Sequence, residues 1–155
     1  MSSLAPAIRA RKLLDRIGFS GGILGLTDVC DVLGIDVRYK DDIGNFEAFL
    51  TIDRDNDRAL IIVNNSKPYH RQRFSLAHEI GHTVLGHGPI AFMDEISRRR
   101  IPWQEVHANR FAAELLMPQI YLRSFGKALS ARFISEACGV SEMAAEIRLQ
   151  QLGWV

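Results

Sequence analysis

The sequence predicts an α+β fold in which helical segments lie on either side of a small group of strands. Two short segments with helical spacing of apolar residues come first. Three segments rich in β-branched or aromatic residues follow, as strands require. The remaining segments carry apolar residues three and four positions apart, which is typical of amphipathic helices. We therefore expect a mixed sheet of three or more strands and a helical C-terminal half.

Two helices are expected before the sheet. Residues 5–17 form an amphipathic segment, and we interpret its basic face as solvated rather than as a binding patch. A second helix over residues 25–33 should end at Gly34, because glycine readily adopts the conformation that terminates helices. Cys30 lies on the apolar stripe of this helix, so we predict that it packs in the core. Cys138 is distant in the sequence, and neither cysteine has metal-ligand spacing.

Three strands are expected at residues 35–39, 45–52 and 59–63. The second segment alternates between two sets of side chains, as a half-buried strand does. The third is continuously apolar and should be more buried. Residues 53–58 are rich in aspartate, but Arg58 stands where a calcium-binding loop needs glycine. We therefore interpret this segment as a hairpin connection.

The predicted active-site helix covers residues 67–87 and contains the run His-Glu-Ile-Gly-His at 78–82. Ser66 is its expected N-cap, and Pro68 is expected in its first turn. Gly81 lowers helix stability, so its presence between the two histidines indicates that another segment packs closely against it.

Two histidines four positions apart on a helix point in the same direction and can bind one Zn²⁺ ion. His78 and His82 have this spacing, and Glu79 lies beside them. A zinc-bound water has a pKa of roughly 7, and a neighbouring carboxylate can accept its proton as it attacks a carbonyl carbon. The run therefore predicts a hydrolytic metal centre.

A catalytic zinc ion usually takes three protein ligands, so a third ligand must come from elsewhere in the chain. His87 is out of register for the pattern in which a third histidine follows the helix, and we interpret it as a polar residue near the helix end. The better candidate lies in the strongly helical segment 102–118, which begins and ends with proline. In this segment Glu105 and Asn109 are four positions apart and share a face.

Two expectations concern the surroundings of that helix. Residues 88–101 should form a loop between the two metal-bearing helices, with its arginines at positions 98–100 solvated. Glu114 lies about 180° around the helix axis from Glu105, so we expect it to be a solvated helix residue.

The chain resembles the ImmA/IrrE metallopeptidases, the M78 peptidase group. The similarity lies in the run His-Glu-Ile-Gly-His combined with the later run Glu-x-x-x-Asn-x-Phe-Ala-Ala-Glu-Leu-Leu-Met-Pro, and it extends over roughly residues 8–152. It implies that His78, His82 and Glu105 bind one zinc ion per chain and that Glu79 is the catalytic base.

One position departs from the pattern of that family. Its members often carry glutamate two positions before the asparagine, where this chain has His107. Positions 105 and 107 are about 200° apart on a helix, so only one of them can face the metal. We favour Glu105, because Asn109 shares its face, and keep His107 as the alternative ligand. Asn109, His107 and Tyr121 are the candidates for supporting the ligands or stabilising the transition state.

The resemblance also implies an architecture and a function. It implies a single zincin-like metallopeptidase domain over residues 1–155, with helices and sheet over 1–66 and a helical half over 102–153. In such enzymes an extended peptide pairs with an edge strand, and residues 45–52 are the candidate edge. The implied activity is zinc-dependent endopeptidase cleavage of an Xre-type helix-turn-helix repressor. Such cleavage would derepress mobile-element, stress-response or toxin-antitoxin genes.

Two other functions remain open at this point. Residues 133–152 look like a helix-turn-helix, which would suit a DNA-binding regulator with a structural metal. Their second helix offers Glu142 and Glu146 with Arg148 as its only cation, which opposes approach to phosphates. The other alternative is a metal-binding regulatory module without catalysis. Glu79 favours an enzyme over this module, because it is not needed to hold zinc.

Composition agrees with a small intracellular enzyme. The chain has 155 residues, of which 47% are hydrophobic, which fits one domain with a sizeable core. Its net charge of +1 provides no global field that would recruit nucleic acid or anionic membrane. No apolar run approaches the ~20 residues of a membrane span, and the N-terminus lacks the apolar region of a signal peptide. We expect a cytoplasmic location with no direct nucleic-acid or membrane partner.

Overall fold

The computed structural model of the chain describes residues 4–88 and 100–155. Its elements follow the α+β order expected from the sequence. They are α1 (Ala5–Arg16), α2 (Leu26–Leu33), β1 (Asp36–Lys40), β2 (Ala48–Asp53), β3 (Arg58–Asn64), α3 (Tyr69–Val84), α4 (Pro102–Leu116), α5 (Gln119–Arg123), α6 (Ala131–Cys138) and α7 (Glu142–Gln151). Most of the loop expected at residues 88–101 lies outside the described residues.

The three strands form a mixed sheet in the order β1-β3-β2. β1 pairs with β3 in parallel, and β2 pairs with β3 antiparallel, from Ala48 opposite Val63 to Asp53 opposite Arg58. The antiparallel pair confirms the hairpin connection and places β2 at an edge of this sheet. The last five residues of β3 are buried, as its continuous apolar run predicts.

Helices α3 and α4 pack closely against each other, and Gly81 allows this approach. A Cβ atom at position 81 would lie 3.0 Å from Cδ1 of Phe111 and 3.3 Å from the carbonyl oxygen of Ala108. The prediction that a segment packs against Gly81 is therefore confirmed. The contact fixes the distance between the helix that carries the two histidines and the helix that carries Glu105.

The expected start of the active-site helix is wrong by two residues. The N-cap of α3 is Pro68, and Ser66 makes no cap to the helix. The reason is local, because the side-chain oxygen of Asn64 accepts hydrogen bonds from the Ser66 amide at 3.0 Å and from the Ser66 hydroxyl at 2.6 Å. This turn occupies Ser66, and the helix begins after the following proline.

Glu114 is buried, contrary to the expectation that it is solvated. Only 1% of its surface is exposed, because α1 packs over this part of α4 and the side chain of Arg148 reaches it from α7. Its carboxylate accepts a hydrogen bond from Arg11 at 2.9 Å and another from Arg148. Arg148 is itself buried and also donates to the carbonyl oxygen of Met117 at 3.2 Å. Arg148, the cation of α7, is therefore paired in the interior of the protein.

The two cysteines are free thiols in the core, as predicted for Cys30. Cys30 is 1% exposed and Cys138 is fully buried. Burial raises the pKa of Cys30 to about 12 and that of Cys138 to about 11, which makes both poor nucleophiles at neutral pH. Within the described ranges, no helix has both the length and the apolar character that crossing a bilayer requires.

Candidate metal centre

Three donor atoms from two helices meet at one point. α3 places Nε2 of His78 and Nε2 of His82 2.9 Å apart. α4 brings the carboxylate of Glu105 to the same point, with its oxygens 2.9 Å from Nε2 of His78 and 3.2 Å from Nε2 of His82. The helical spacing of four residues explains the histidine pair, and the close packing of α3 on α4 explains the approach of Glu105.

This arrangement fits a zinc ion. Tetrahedral zinc with nitrogen and oxygen ligands holds its donor atoms about 3.3 Å apart, close to the three distances observed. Nδ1 of His78 lies 2.7 Å from the side-chain oxygen of Asn109, and an N–H donated to that oxygen would leave the lone pair of Nε2 for a metal ion once the ion replaces the Nε2 proton. Two imidazoles and a carboxylate are also a ligand set of catalytic zinc.

The charges of the centre suit a cation. Hydrogen bonds with His78 and then with His82 hold the pKa of Glu105 well below its usual range, so this carboxylate is ionised. Burial lowers the pKa of His82 to about 4, so its ring is neutral at pH 7. Burial also lowers the pKa of His78, but the hydrogen bond with Glu105 and the charges of Glu79 and Glu105 outweigh it and leave this pKa raised.

His87 lies directly behind His82, a contact that was not predicted from the sequence. Their Nδ1 atoms are 2.8 Å apart, and the backbone amide of His87 donates to the carbonyl oxygen of His82 at 2.9 Å. Gly86, with a φ of 75°, allows the chain to fold back after α3. His87 is therefore placed to hold the ring of His82 rather than to meet the three donor atoms.

Glu79 is buried beside the donor atoms, with an oxygen that makes no hydrogen bond. Its exposure is 9%, and among the described residues its Oε2 has no hydrogen-bond partner. Burial raises the pKa of Glu79 to about 7, although the charges of His78 and Arg100 and the backbone of Leu50 in β2 lower it. A carboxylate with a pKa near neutrality and a free oxygen is suited to accept and return a proton.

Arg100 is buried in the centre, contrary to the expectation that it is solvated. Its Nη2 lies 3.9 Å from Oε2 of Glu79, and its Nε lies 4.0 Å from Oε1 of Glu105. Its Nη1 donates to the carbonyl oxygen of His87 at 3.2 Å. The expectation failed because a run of three arginines usually marks a solvated segment, whereas the two carboxylates attract this one inward. The sequence offered no signal for this contact, because Arg100 precedes α4 and only the fold brings it to the two carboxylates.

His107 and Tyr121, the two remaining candidates from the sequence, lie away from the donor atoms. The ring of His107 packs edge-on against Trp103 with 5.2 Å between centroids, and Trp103 packs in turn against His87. Glu105, and not His107, therefore faces the histidine pair. Tyr121 in α5 packs against Phe19 and lines a separate cavity. The structure does not bring Tyr121 to the centre.

A cleft of about 290 Å³ opens beside Glu79 and His78. Ala48, the first residue of β2, and Glu47, which precedes the strand, form one wall of it, and Asn109 of α4 contributes to another. The edge strand therefore borders the cleft, which is where we expect a strand that receives an extended peptide to lie.

Comparison with known proteins shows the family of this chain and a similar fold among solved structures. The family model Peptidase_M78, described as an IrrE N-terminal-like domain, matches residues 30–150. No curated protein matches the chain. Among solved structures, a Mycobacterium tuberculosis transcriptional regulator is similar, with a TM-score of 0.64 and 19% identity over 94% of this chain and 46% of that one. The chain thus spans about half of the regulator, and at this identity the likeness concerns the fold alone.

Proposed function

This chain belongs to the Peptidase_M78 family, with an IrrE N-terminal-like domain, and on that premise we propose that it is a zinc-dependent endopeptidase. The observation that carries the proposal is the meeting of His78, His82 and Glu105 within 3.2 Å of one another, with Glu79 beside them. These three side chains would hold one zinc ion, and the buried Glu79 would be the catalytic base.

The residues around the centre have separable tasks in peptide hydrolysis. When bound, zinc supplies Lewis acidity that polarises the scissile carbonyl and lowers the pKa of water. Glu79 takes a proton from the attacking water through its free oxygen and passes a proton to the leaving amine. Asn109 fixes the ring of His78, and Arg100 favours the ionised form of Glu79 before the proton is taken.

The substrate class follows from the family resemblance, and we propose a separate helix-turn-helix repressor of the Xre type. The similar protein from Mycobacterium tuberculosis is described as a transcriptional regulator, and a substrate that regulates transcription agrees with that description. Cleavage of the repressor would release mobile-element, stress-response or toxin-antitoxin genes.

The surroundings of α7 argue against direct binding of DNA by this chain. The helix that would enter the major groove is α7, and its only cation, Arg148, is buried against Glu114. Glu142 and Glu146 remain exposed on that helix and would repel phosphates.

The test combines cleavage with metal analysis. Repressors encoded near this gene are co-expressed with it, and fragments are identified by mass spectrometry and then reproduced with purified proteins. Cleavage should require zinc and stop when a chelator removes it. Glu79→Gln should retain one zinc ion per chain while hydrolysis falls by about 10²-fold or more, because the isosteric amide accepts no proton from water. Equal activity of Glu79→Gln would contradict the role of Glu79, and cleavage without metal would contradict the whole proposal.

A further inference from the structure

A second cavity, which we call the α7 groove, adjoins the candidate metal centre. It has a volume of about 370 Å³ and lies between α3, α4 and α7. Its apolar lining includes Phe74, Ala113, Met117, Val140, Ala144 and Ile147. Cavities of this size, lined mainly by hydrophobic side chains with a few polar groups, are typical of ligand pockets.

The groove and the catalytic cleft share a wall. Glu47, Phe74, Ser75 and Asn109 line both of them. One of these residues, Asn109, also holds the ring of His78 at 2.7 Å. A peptide chain that crosses the cleft therefore has the groove beside it, within reach of side chains close to the bond that is cut.

The chemistry of the groove favours an apolar side chain over a charged one. Its floor contains Met117 and Val140, each 1% exposed, whereas Ile147 of α7 is 47% exposed at its upper side. The charges at its rim neutralise each other, because Arg71 forms an ion pair with Glu47. A charged substrate residue would lose its hydration without gaining an unpaired partner there, while an apolar one would cover the exposed face of α7.

We propose that the α7 groove is a specificity pocket that binds an apolar side chain of the protein substrate, such as leucine, methionine or phenylalanine, adjacent to the scissile bond. The inference rests on the proposed endopeptidase function. It assigns to α7 the selection of a protein substrate. Ile147 and Ala144 are the residues of α7 that set the chemistry and the depth of the groove.

The test uses a random-sequence peptide mixture as probe and zinc-loaded protein, with cleavage sites mapped by mass spectrometry. The wild-type chain should cut next to apolar residues at one fixed position. Ile147→Glu should lower kcat/KM for these peptides about tenfold or more and admit lysine or arginine there. Ala144→Leu, which fills the groove, should shift the preference to smaller residues. Ile120→Glu is the matched control, because Ile120 is 77% exposed on α5 and lines a different cavity; its profile should equal that of wild type.

A binding arm separates the failure of this inference from the failure of the proposed function. Zinc-loaded Glu79→Gln protein is incubated with the same mixture, and the retained peptides are identified with and without Ile147→Glu. Retention of apolar peptides that Ile147→Glu abolishes supports the groove even where the wild-type chain cuts nothing. Cleavage without preference, equal profiles of Ile147→Glu and Ile120→Glu, or retention that ignores Ile147 overturns the inference. Circular dichroism spectra and thermal transitions of the variants verify that each remains folded.

Discussion

At the scale of residues, the candidate centre is a set of ionisable groups that lie close together and shift one another's pKa values. The pKa values of Glu105 and Glu79 move in opposite directions: hydrogen bonds from two imidazoles lower the first, and burial raises the second to about 7. Carboxylates with different environments can take different roles, and here one suits metal binding and the other suits proton transfer. The guanidinium group of Arg100 lies within 4.0 Å of both carboxylates.

Replacement of Arg100 by methionine should slow hydrolysis most strongly at low pH. The positive charge of Arg100 lies 3.9 Å from Glu79 and favours its ionised form. Without that charge the pKa of Glu79 rises further, so more of the base is protonated and inactive at a given pH. The acid limb of kcat/KM, measured with saturating zinc, should therefore move to higher pH. Arg132→Met is the control, since Arg132 is exposed on α6; an unmoved acid limb in Arg100→Met would refute the coupling.

The residues of this centre differ in how far the sequence could reveal them. His78, Glu79 and His82 were accessible because their relation is fixed by the geometry of one helix. Arg100 and His87 were not, because their contacts depend on how the chain folds back around α3. Glu114 was misjudged for a related reason: a helical wheel shows which residues share a face but not which other helices cover it.

At the scale of elements, the edge strand β2 connects the sheet to the cleft. The amide of Asn64 donates to the carbonyl oxygen of Glu47, and the alternation of an antiparallel pair then turns the backbone groups of Ala48, Leu50 and Ile52 away from β3. The backbone of Leu50 already contacts Glu79. The outward backbone groups at the beginning of β2 are therefore available to an extended peptide in the cleft.

Proline at position 48 should weaken cleavage of a protein substrate without loss of zinc. It removes an outward N–H beside the cleft and leaves the hydrogen bonds to β3 intact. We expect KM to rise severalfold, and metal content measured by atomic spectrometry to stay at the wild-type value. Ile52→Pro is the matched control, because it removes an outward N–H on the same strand away from the cleft. Equal turnover of Ala48→Pro and wild type would argue against pairing of the substrate with β2.

The contact of α4 with α7 depends on the buried pair of Glu114 and Arg148. Each side chain is less than a tenth exposed, so removal of Glu114 leaves the charge of Arg148 uncompensated in the interior, whereas removal of Arg148 leaves Glu114 paired with Arg11. Glu114→Leu should lower the free energy of unfolding by about 3 kcal/mol, and the added change Arg148→Met should recover part of this loss. Urea unfolding of the two single variants and the double variant measures the coupling. The exposed pair Arg132 and Glu136 is the comparison, with an expected contribution below about 1 kcal/mol.

At the scale of the whole molecule, the order of elements was predictable and their contacts were only partly so. The strands at 35–39 and 59–63 were predicted within one residue of their observed ends, because β-branched runs are strong local signals. The predicted strand at 45–52 begins three residues too early, since pairing starts at Ala48. The short helix α5 was not foreseen, because five residues are too few for an apolar period to emerge.

Zinc should stabilise the folded chain, because its three proposed ligands meet only after α3 and α4 have packed. A ligand present at one hundred times its dissociation constant stabilises the state that binds it by about 2.7 kcal/mol. For a domain of this size, that corresponds to a rise in Tm of about 5–10 °C. Differential scanning calorimetry with zinc and with chelator measures the effect, and Glu79→Gln should retain it. The absence of any rise with excess zinc would mean that the three side chains do not bind the ion.

The hydrogen atom that serves as the side chain of residue 81 sets the width of the gap in which the metal would lie. A methyl group there would favour the isolated helix by about 1 kcal/mol. The same methyl group would press on Phe111 and on the backbone of Ala108. It would therefore move α4, and with it the carboxylate of Glu105, away from the two histidines. The stability of α3 would thus be higher with alanine at position 81, whereas binding of the metal ion requires glycine. The chain has the residue that metal binding requires.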